Sequence, residues 1–423
     1  MTPATLRRLL LIAAAVNLAL LPTGALTFWR SLSFGLGALL ALLLVGGAIT
    51  RRAEPIPSPG YAVLLPVLIW SAWATASLLW SVHPEYSADE LKREVGWNLL
   101  TMIIFYVAGY DWHAWRVLVR TALGALAVMS ALALGFAAVH GSWAKGNWHT
   151  GVGAYATYLV IAAPLLLVLL APPPAGFRDG KGPVAISLLL LALLLAAARM
   201  TDNRMVWVAL AASCATAAGL AGFRWRATLA QAPARWLAPL LVLLVALGML
   251  FTDAAREKAK AHFPPDTTVA QTFEHDPRLV LWNHTVARIA ERPWTGFGFG
   301  KSILENDLRG ELHDPLLIHA HNIFIAQWLQ TGVVGVSAFT ALLMAIGWRY
   351  LRFYRAQSDT LALLGLLGLT LLAGFVVKNL TDDFLVRSNA KEFWALNALI
   401  LGWGTRQERA ARGAMGVVSP ANS

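Results

Sequence analysis

The chain has 423 residues, 57% of them hydrophobic and only 13% charged, with a mean hydropathy of +0.59. A soluble chain carries about 25% charged residues, so this balance excludes an ordinary soluble globule and reads as an all-α polytopic membrane protein. The formal charge of +11 comes from basic residues scattered between apolar runs, a pattern of topology signals and not of a nucleic-acid-binding face, and the one cysteine, Cys214, excludes a disulfide or a thiolate metal site.

A helix needs about 20 residues to cross a hydrocarbon core of roughly 30 Å. Twelve runs approach or exceed that length: 7–27, 32–49, 61–80, 96–111, 115–139, 151–171, 183–199, 205–222, 236–252, 319–348, 360–380 and 389–404. No A-x-A-like cleavage site stands out after the first run, which therefore reads as a retained span. The tenth run is long and contains Gly332 and Gly335, so a bend is expected there. Tryptophans at run ends, namely Trp29, Trp80, Trp115, Trp236, Trp348 and Trp403, fit interfacial belts.

With the N-terminus cytoplasmic, sixteen Lys and Arg fall on inside segments, and an even number of spans returns the C-terminus to the same side. The chain then divides into nine spans over 1–252, a large outer loop over 253–318, three spans over 319–404 and a cytoplasmic tail over 405–423. The large loop holds eight basic and ten acidic residues and two helix-like stretches, "DAAREKAKAHF" and "RLVLWNHTVARIAE". A smaller outer loop is "SVHPEYSADELKREV", 81–95.

This topology gathers polar groups on one side. His319, His321 and Asn322 stand at the outer mouth of the tenth span, Arg204 in the hairpin "ARMTDNRM", and Arg278, Arg288, Arg292 and Lys301 in the large loop. Guanidinium offers a permanent charge and a planar donor fork suited to phosphate; histidine can exchange a proton near neutral pH. Each residue has a bland reading. Arg199 reads as a snorkelling anchor, His313 and His319 as structural, and His262 and His275 as solvated loop residues. Arg204 resists that reading, because so tight an outer hairpin needs no anchor. "GFGFG" lacks the strand context and the Lys-Ser/Thr of a nucleotide loop and reads as a tight turn bringing backbone close to the membrane or a ligand. The acids Asp382 and Asp383 suggest a metal, but no third ligand is evident, so none is expected.

The ordered set "RLVLW" from Arg278, "ERPWTGFGFG" and "HNIFIAQWLQTGVVG", with "WSVHPEYSADELKREVGWNLL" from Trp80, resembles the O-antigen ligase family of Gram-negative inner membranes. The matching segments lie within residues 80–335; the set is fairly specific, while each piece alone is weak. The resemblance implies transfer of O-antigen polysaccharide from undecaprenyl pyrophosphate to lipid A–core oligosaccharide at the periplasmic face. It implies inversion at the anomeric carbon and no metal or other cofactor. By the same resemblance His321 is the essential histidine and Arg204 and Arg278 are the essential arginines; on chemical grounds His321 is expected as the general base and the two arginines as ligands of the pyrophosphate, with Asn322 orienting the site and Arg288 in the substrate-binding set. Many relatives read Ser-Arg-Gly at the hairpin where this chain has Asn203-Arg204-Met205. O-antigen polymerases and protein O-oligosaccharyltransferases share these motifs, so the acceptor stays open. A transporter is the alternative of another class; it would place ionisable groups near the bilayer midplane and show internal repeats, whereas here the middles of the spans are nearly charge-free and no repeat is visible.

Overall fold

A computed structural model describes residues 2–141, 148–149, 151–170, 182–226, 233–262, 276–312 and 318–417. Among them there is no strand. The long helices are α1 (Pro3–Leu20), α2 (Thr27–Ile49), α3 (Tyr61–Ala76), α5 (Trp97–Ala108), α6 (Trp112–His140), α7 (Val152–Ala162), α9 (Gly182–Arg199), α10 (Arg204–Arg224) and α11 (Pro233–His262). They continue with α12 (Pro277–Glu291), α14 (Ile323–Tyr354), α15 (Asp359–Asn379) and α16 (Arg387–Val417). Shorter pieces are α4 (Pro84–Glu90), α8 (Leu166–Leu170) and α13 (Glu305–Leu312).

Every one of the twelve apolar runs falls on helix. Among the described residues, eight helices are long and apolar enough to cross a membrane. Leu39, Leu43, Leu65 and Leu68 on α2 and α3 are more than half exposed, a cost in water but not in lipid. The chain is therefore a multi-pass, all-α membrane protein.

Starts and stops follow local chemistry. Asp111 caps α6, its Oδ1 accepting from the Ala114 amide at 2.7 Å, and Ser358 caps α15. The stretch 81–95, expected as a loop, is α4 followed by a π-helical turn, Leu91–Gly96, that runs straight into α5. The interfacial belt is only partly realised. Trp29 and Trp348 are exposed, but Trp115 and Trp403 are buried and pack with Trp112 between helices.

The predicted bend in the tenth run is present. Gly332 has φ 68° and ψ −174°, which breaks the helix inside α14. The carbonyls the break releases need donors, since an orphaned buried group costs about 1–3 kcal/mol. The glycine-rich loop supplies them. Phe297 N–H donates to Leu329 O at 3.0 Å and Gly298 N–H to Gln330 O at 2.9 Å, while Val333 N–H donates back to Pro293 O at 2.8 Å. A Cβ on Gly332 would stand 2.0 Å from Trp294 O, and one on Gly296 2.6 Å from the Gln330 carbonyl. "GFGFG" is a tight turn, as expected, and the protein backbone it approaches is that of α14 and of the 77–86 segment.

A small apolar cluster, including Leu281, Ile289, Phe297, Leu308 and Leu329, fastens α12 and α13 to the bent helix. The loop helix is thus held rigidly over the mouth of α14.

Candidate active site

Four elements converge where α14 begins. His321 sits just before the helix with φ 47°, a left-handed conformation that costs a non-glycine residue about 1–2 kcal/mol. The next residue, Asn322, is the N-cap: its Oδ1 accepts from the Phe324 and Ile325 amides at 2.9 and 3.2 Å, and its Nδ2 donates to Leu380 O at 2.8 Å. Asn322 therefore starts the helix and pins the α15–α16 connection beside it. Its side chain is thus engaged in capping the helix directly behind His321.

That connection carries Asp382 and Asp383. Asp382 Oδ1 lies 3.8 Å from His321 Nδ1 and 3.8 Å from Arg278 Nη2, while its other oxygen is bonded to the fully buried Lys378. Asp383 takes Lys301 Nζ at 2.8 Å and stands 3.4 Å from His319 Nδ1. Burial alone would raise both carboxyl pKa values. At Asp382, Lys378 together with the nearby His321 and Arg278 outweighs it; at Asp383, Lys301 and the two histidines do, and both are held below the usual carboxylate range.

The two arginines arrive together. Arg204 opens α10 and is buried; it bonds Asp276, whose other oxygen caps α12 by accepting from the Arg278 amide at 3.1 Å. One carboxylate thereby fixes Arg204 and orients the helix that presents Arg278. Asn203 caps α10, its Oδ1 accepting from the Met205 amide at 3.1 Å.

Three placements differ from the sequence reading. His319, read as a lone structural histidine, lies against His321 with ring centroids 3.9 Å apart, since α14 starts only at Ile323. Burial, with Lys301 and His321 nearby, pushes the His319 pKa down to about 4 against the pull of Asp383, so the ring is neutral near pH 7. Arg199, read as an anchor, bonds Asp202, Asp253 and Glu257 and clasps α9 to α11. Arg288 is not among the residues round His321; it bonds Glu291 at 2.9 Å and Glu311 at 2.6 Å, tying α12 to α13. His313 and His275 lie outside the described residues, as does most of the surroundings of His262, the last residue of α11.

The missing third metal ligand does exist in space. His319, His321 and Asp383 bring ligand atoms within 4.8 Å of one another. Lys301, however, already sits on the Asp383 oxygen, and an ammonium there both neutralises the carboxylate and repels a divalent ion. Counted over the whole cluster, the cations Arg204, Arg278, Lys301 and Lys378 face three carboxylates, so the site as built favours an anion.

Lys378, Asp276 and the acid pair are the functional-site members that the sequence reading did not assign. Lys378 was findable: an ionisable residue ending an apolar run, in "LLAGFVVKNLTDDF", marks a site by default because its desolvation must be compensated.

The fold and site together define a polytopic membrane protein with a cluster of histidines, paired acids and four cations at one end of its helix bundle. Residues 189–340 match the family model Wzy_C, described as O-antigen ligase. The match supports the resemblance read from the sequence and indicates a glycosyltransferase of the O-antigen ligase and polymerase superfamily. It spans Arg204, Arg278 and His321 but stops before Lys378, Asp382 and Asp383. Comparison with curated proteins finds no match.

Proposed function

We propose that the chain is an O-antigen ligase, an inverting glycosyltransferase that moves O-antigen polysaccharide from undecaprenyl pyrophosphate to lipid A–core oligosaccharide. The reaction takes place at the periplasmic face of the inner membrane, with both termini cytoplasmic. The observation that carries this reading is the chain of contacts Arg204–Asp276–Arg278–Asp382–His321, which unites three distant parts of the sequence at one helix mouth.

Asp382 stands on the Nδ1 side of His321, so Nε2 is the base nitrogen. It takes the proton of the acceptor hydroxyl as that oxygen attacks the anomeric carbon. The bond from this carbon to the pyrophosphate oxygen breaks, its electron pair leaves with undecaprenyl pyrophosphate, and the configuration inverts. Arg278 supports the departing charge, because its contact to Asp382 is longer than a hydrogen bond and leaves its fork available. Arg204 adds charge from behind Asp276. Asp382, held ionised, stabilises the imidazolium. The donor's lipid tail stays in the bilayer, which accounts for a site at a helix mouth and not in a soluble domain.

A deletion strain tests the reading. It should lose long-chain lipopolysaccharide while lipid-linked polymer accumulates. Loss of the polymer itself would instead make the chain a polymerase, and loss of glycan from a protein acceptor would make it an oligosaccharyltransferase.

A further inference from the structure

The opposite end of the bundle carries a second anion-selective feature that the glycosyl-transfer chemistry does not use. Arg349 lies 27 positions after Asn322, roughly 40 Å away at 1.5 Å per residue. It lines a cavity of about 480 Å³ with Arg352, Arg409 and Arg412, closed on one side by the loop 57–60. Arg349 is buried, and its Nε has no hydrogen-bond partner among the described residues.

One carboxylate, Glu408, serves three of these arginines: Arg349 at 2.6 Å, Arg412 at 3.0 Å and Arg352 at 3.5 Å. Two carboxylate oxygens cannot satisfy three guanidinium forks. Arg409 makes no ion pair among the described residues. The pocket is therefore left with surplus charge and surplus donors of the kind that grip phosphate.

Its remaining walls point to the source of that phosphate. Tyr61, Ala62, Ala345 and Trp348 line the same cavity from α3 and α14, with Tyr61 88% and Trp348 55% exposed. Aromatic rings of this kind sit at headgroup depth, so the pocket opens sideways to the leaflet and not only to water. A neighbouring cavity of about 460 Å³ is unlike it. It shares Arg409, but its other two arginines are engaged: Arg7 is paired with Glu54 at 2.7 Å and Arg406 donates to the carbonyls of Tyr106 and Gly402.

We propose that the Arg349–Arg412 pocket binds the phosphate headgroup of an anionic phospholipid entering from the bilayer. The binding is independent of catalysis and stands even if the acceptor assignment fails.

Native mass spectrometry of the purified full-length protein, delipidated and titrated with phosphatidylglycerol or phosphatidylcholine, tests this. Phosphatidylglycerol should be retained and phosphatidylcholine should not. The double variant Arg352→Gln/Arg412→Gln should weaken that retention by about thirtyfold, two basic residues' worth of surface attraction. Arg409→Gln, which breaks no ion pair among the described residues, should weaken it by several-fold with the elution profile unchanged. Equal retention of both lipids, unchanged affinity in both variants, or complete displacement by millimolar inorganic phosphate would overturn the assignment, the last by making soluble phosphate the ligand.

Discussion

His321 holds a backbone conformation that its residue type disfavours, and it does so between a helix cap and a carboxylate. Strain kept at one residue by its surroundings is expected where orientation matters more than stability. As the base, His321 should be irreplaceable by Gln, which keeps a hydrogen-bonding side chain but cannot take up a proton; turnover should fall about 100- to 10,000-fold. His319→Ala should cost less, because His319 touches His321 and Asp383 but not the proton being moved. His319 also has a stability signature. Its folded pKa is pushed down from 6.5 to about 4, so the unfolded chain takes the proton first as pH falls. The stability that the neutral, buried ring permits is complete above pH 6.5 and is lost between about 6.5 and 4, by at most about 3 kcal/mol. Thermal midpoints in detergent across that window should flatten in His319→Gln; an unchanged slope would assign the loss to other groups. For the arginines, Lys keeps the charge and loses the fork, so Arg204→Lys and Arg278→Lys should each lower turnover about 100-fold with normal accumulation in the membrane. Near-normal turnover in both would reduce them to structural ion-pair partners of Asp276 and Asp382.

At the scale of elements, the bent α14 and the loop 293–300 form one device. The helix break frees carbonyls and the loop's amides meet them, which fixes α12, and hence Arg278, over the mouth. Gly332→Ala would force a Cβ onto Trp294 O in a backbone region reserved for glycine. It should lower the thermal midpoint sharply and uncouple the loop, so that proteolysis within 276–312 becomes fast. Gly124→Ala in α6, where a Cβ meets nothing within 4 Å, should be neutral or slightly stabilising, and it controls for glycine substitution as such. The contrast also shows how far sequence reaches. Apolar run length located the long apolar helices, and paired glycines inside one run located its bend, because both are local properties. What the glycines of "GFGFG" approach was not legible, since their partners at Gln330 and Ser81 are remote in the chain. The contact of His319 with His321 was hidden for a different reason: the apolar run begins at His319, but the Asn322 cap delays the helix to Ile323, so both rings stand on a non-helical segment.

For the molecule as a whole, the legible part of the site was what one segment could show: an arginine without need of an anchor and a His-Asn pair at a helix mouth. The illegible part was the electrostatic closure, in which Asp276 holds Arg204, and Lys378 and Lys301 hold the acid pair; it exists only after four helices meet. That closure argues for anion binding without a metal, since Lys301 occupies the carboxylate a divalent ion would need. Ligation should therefore survive chelation, and loss with EDTA that a divalent ion restores would make His319, His321 and Asp383 a metal site after all. The most direct test of the central claim is reconstitution of the purified wild-type protein and its His321→Gln variant in proteoliposomes with undecaprenyl-pyrophosphate-linked O-antigen and lipid A–core. The account predicts polymer-bearing lipid A–core from the wild type and a loss of at least about 100-fold in the variant; equal product from both would contradict it.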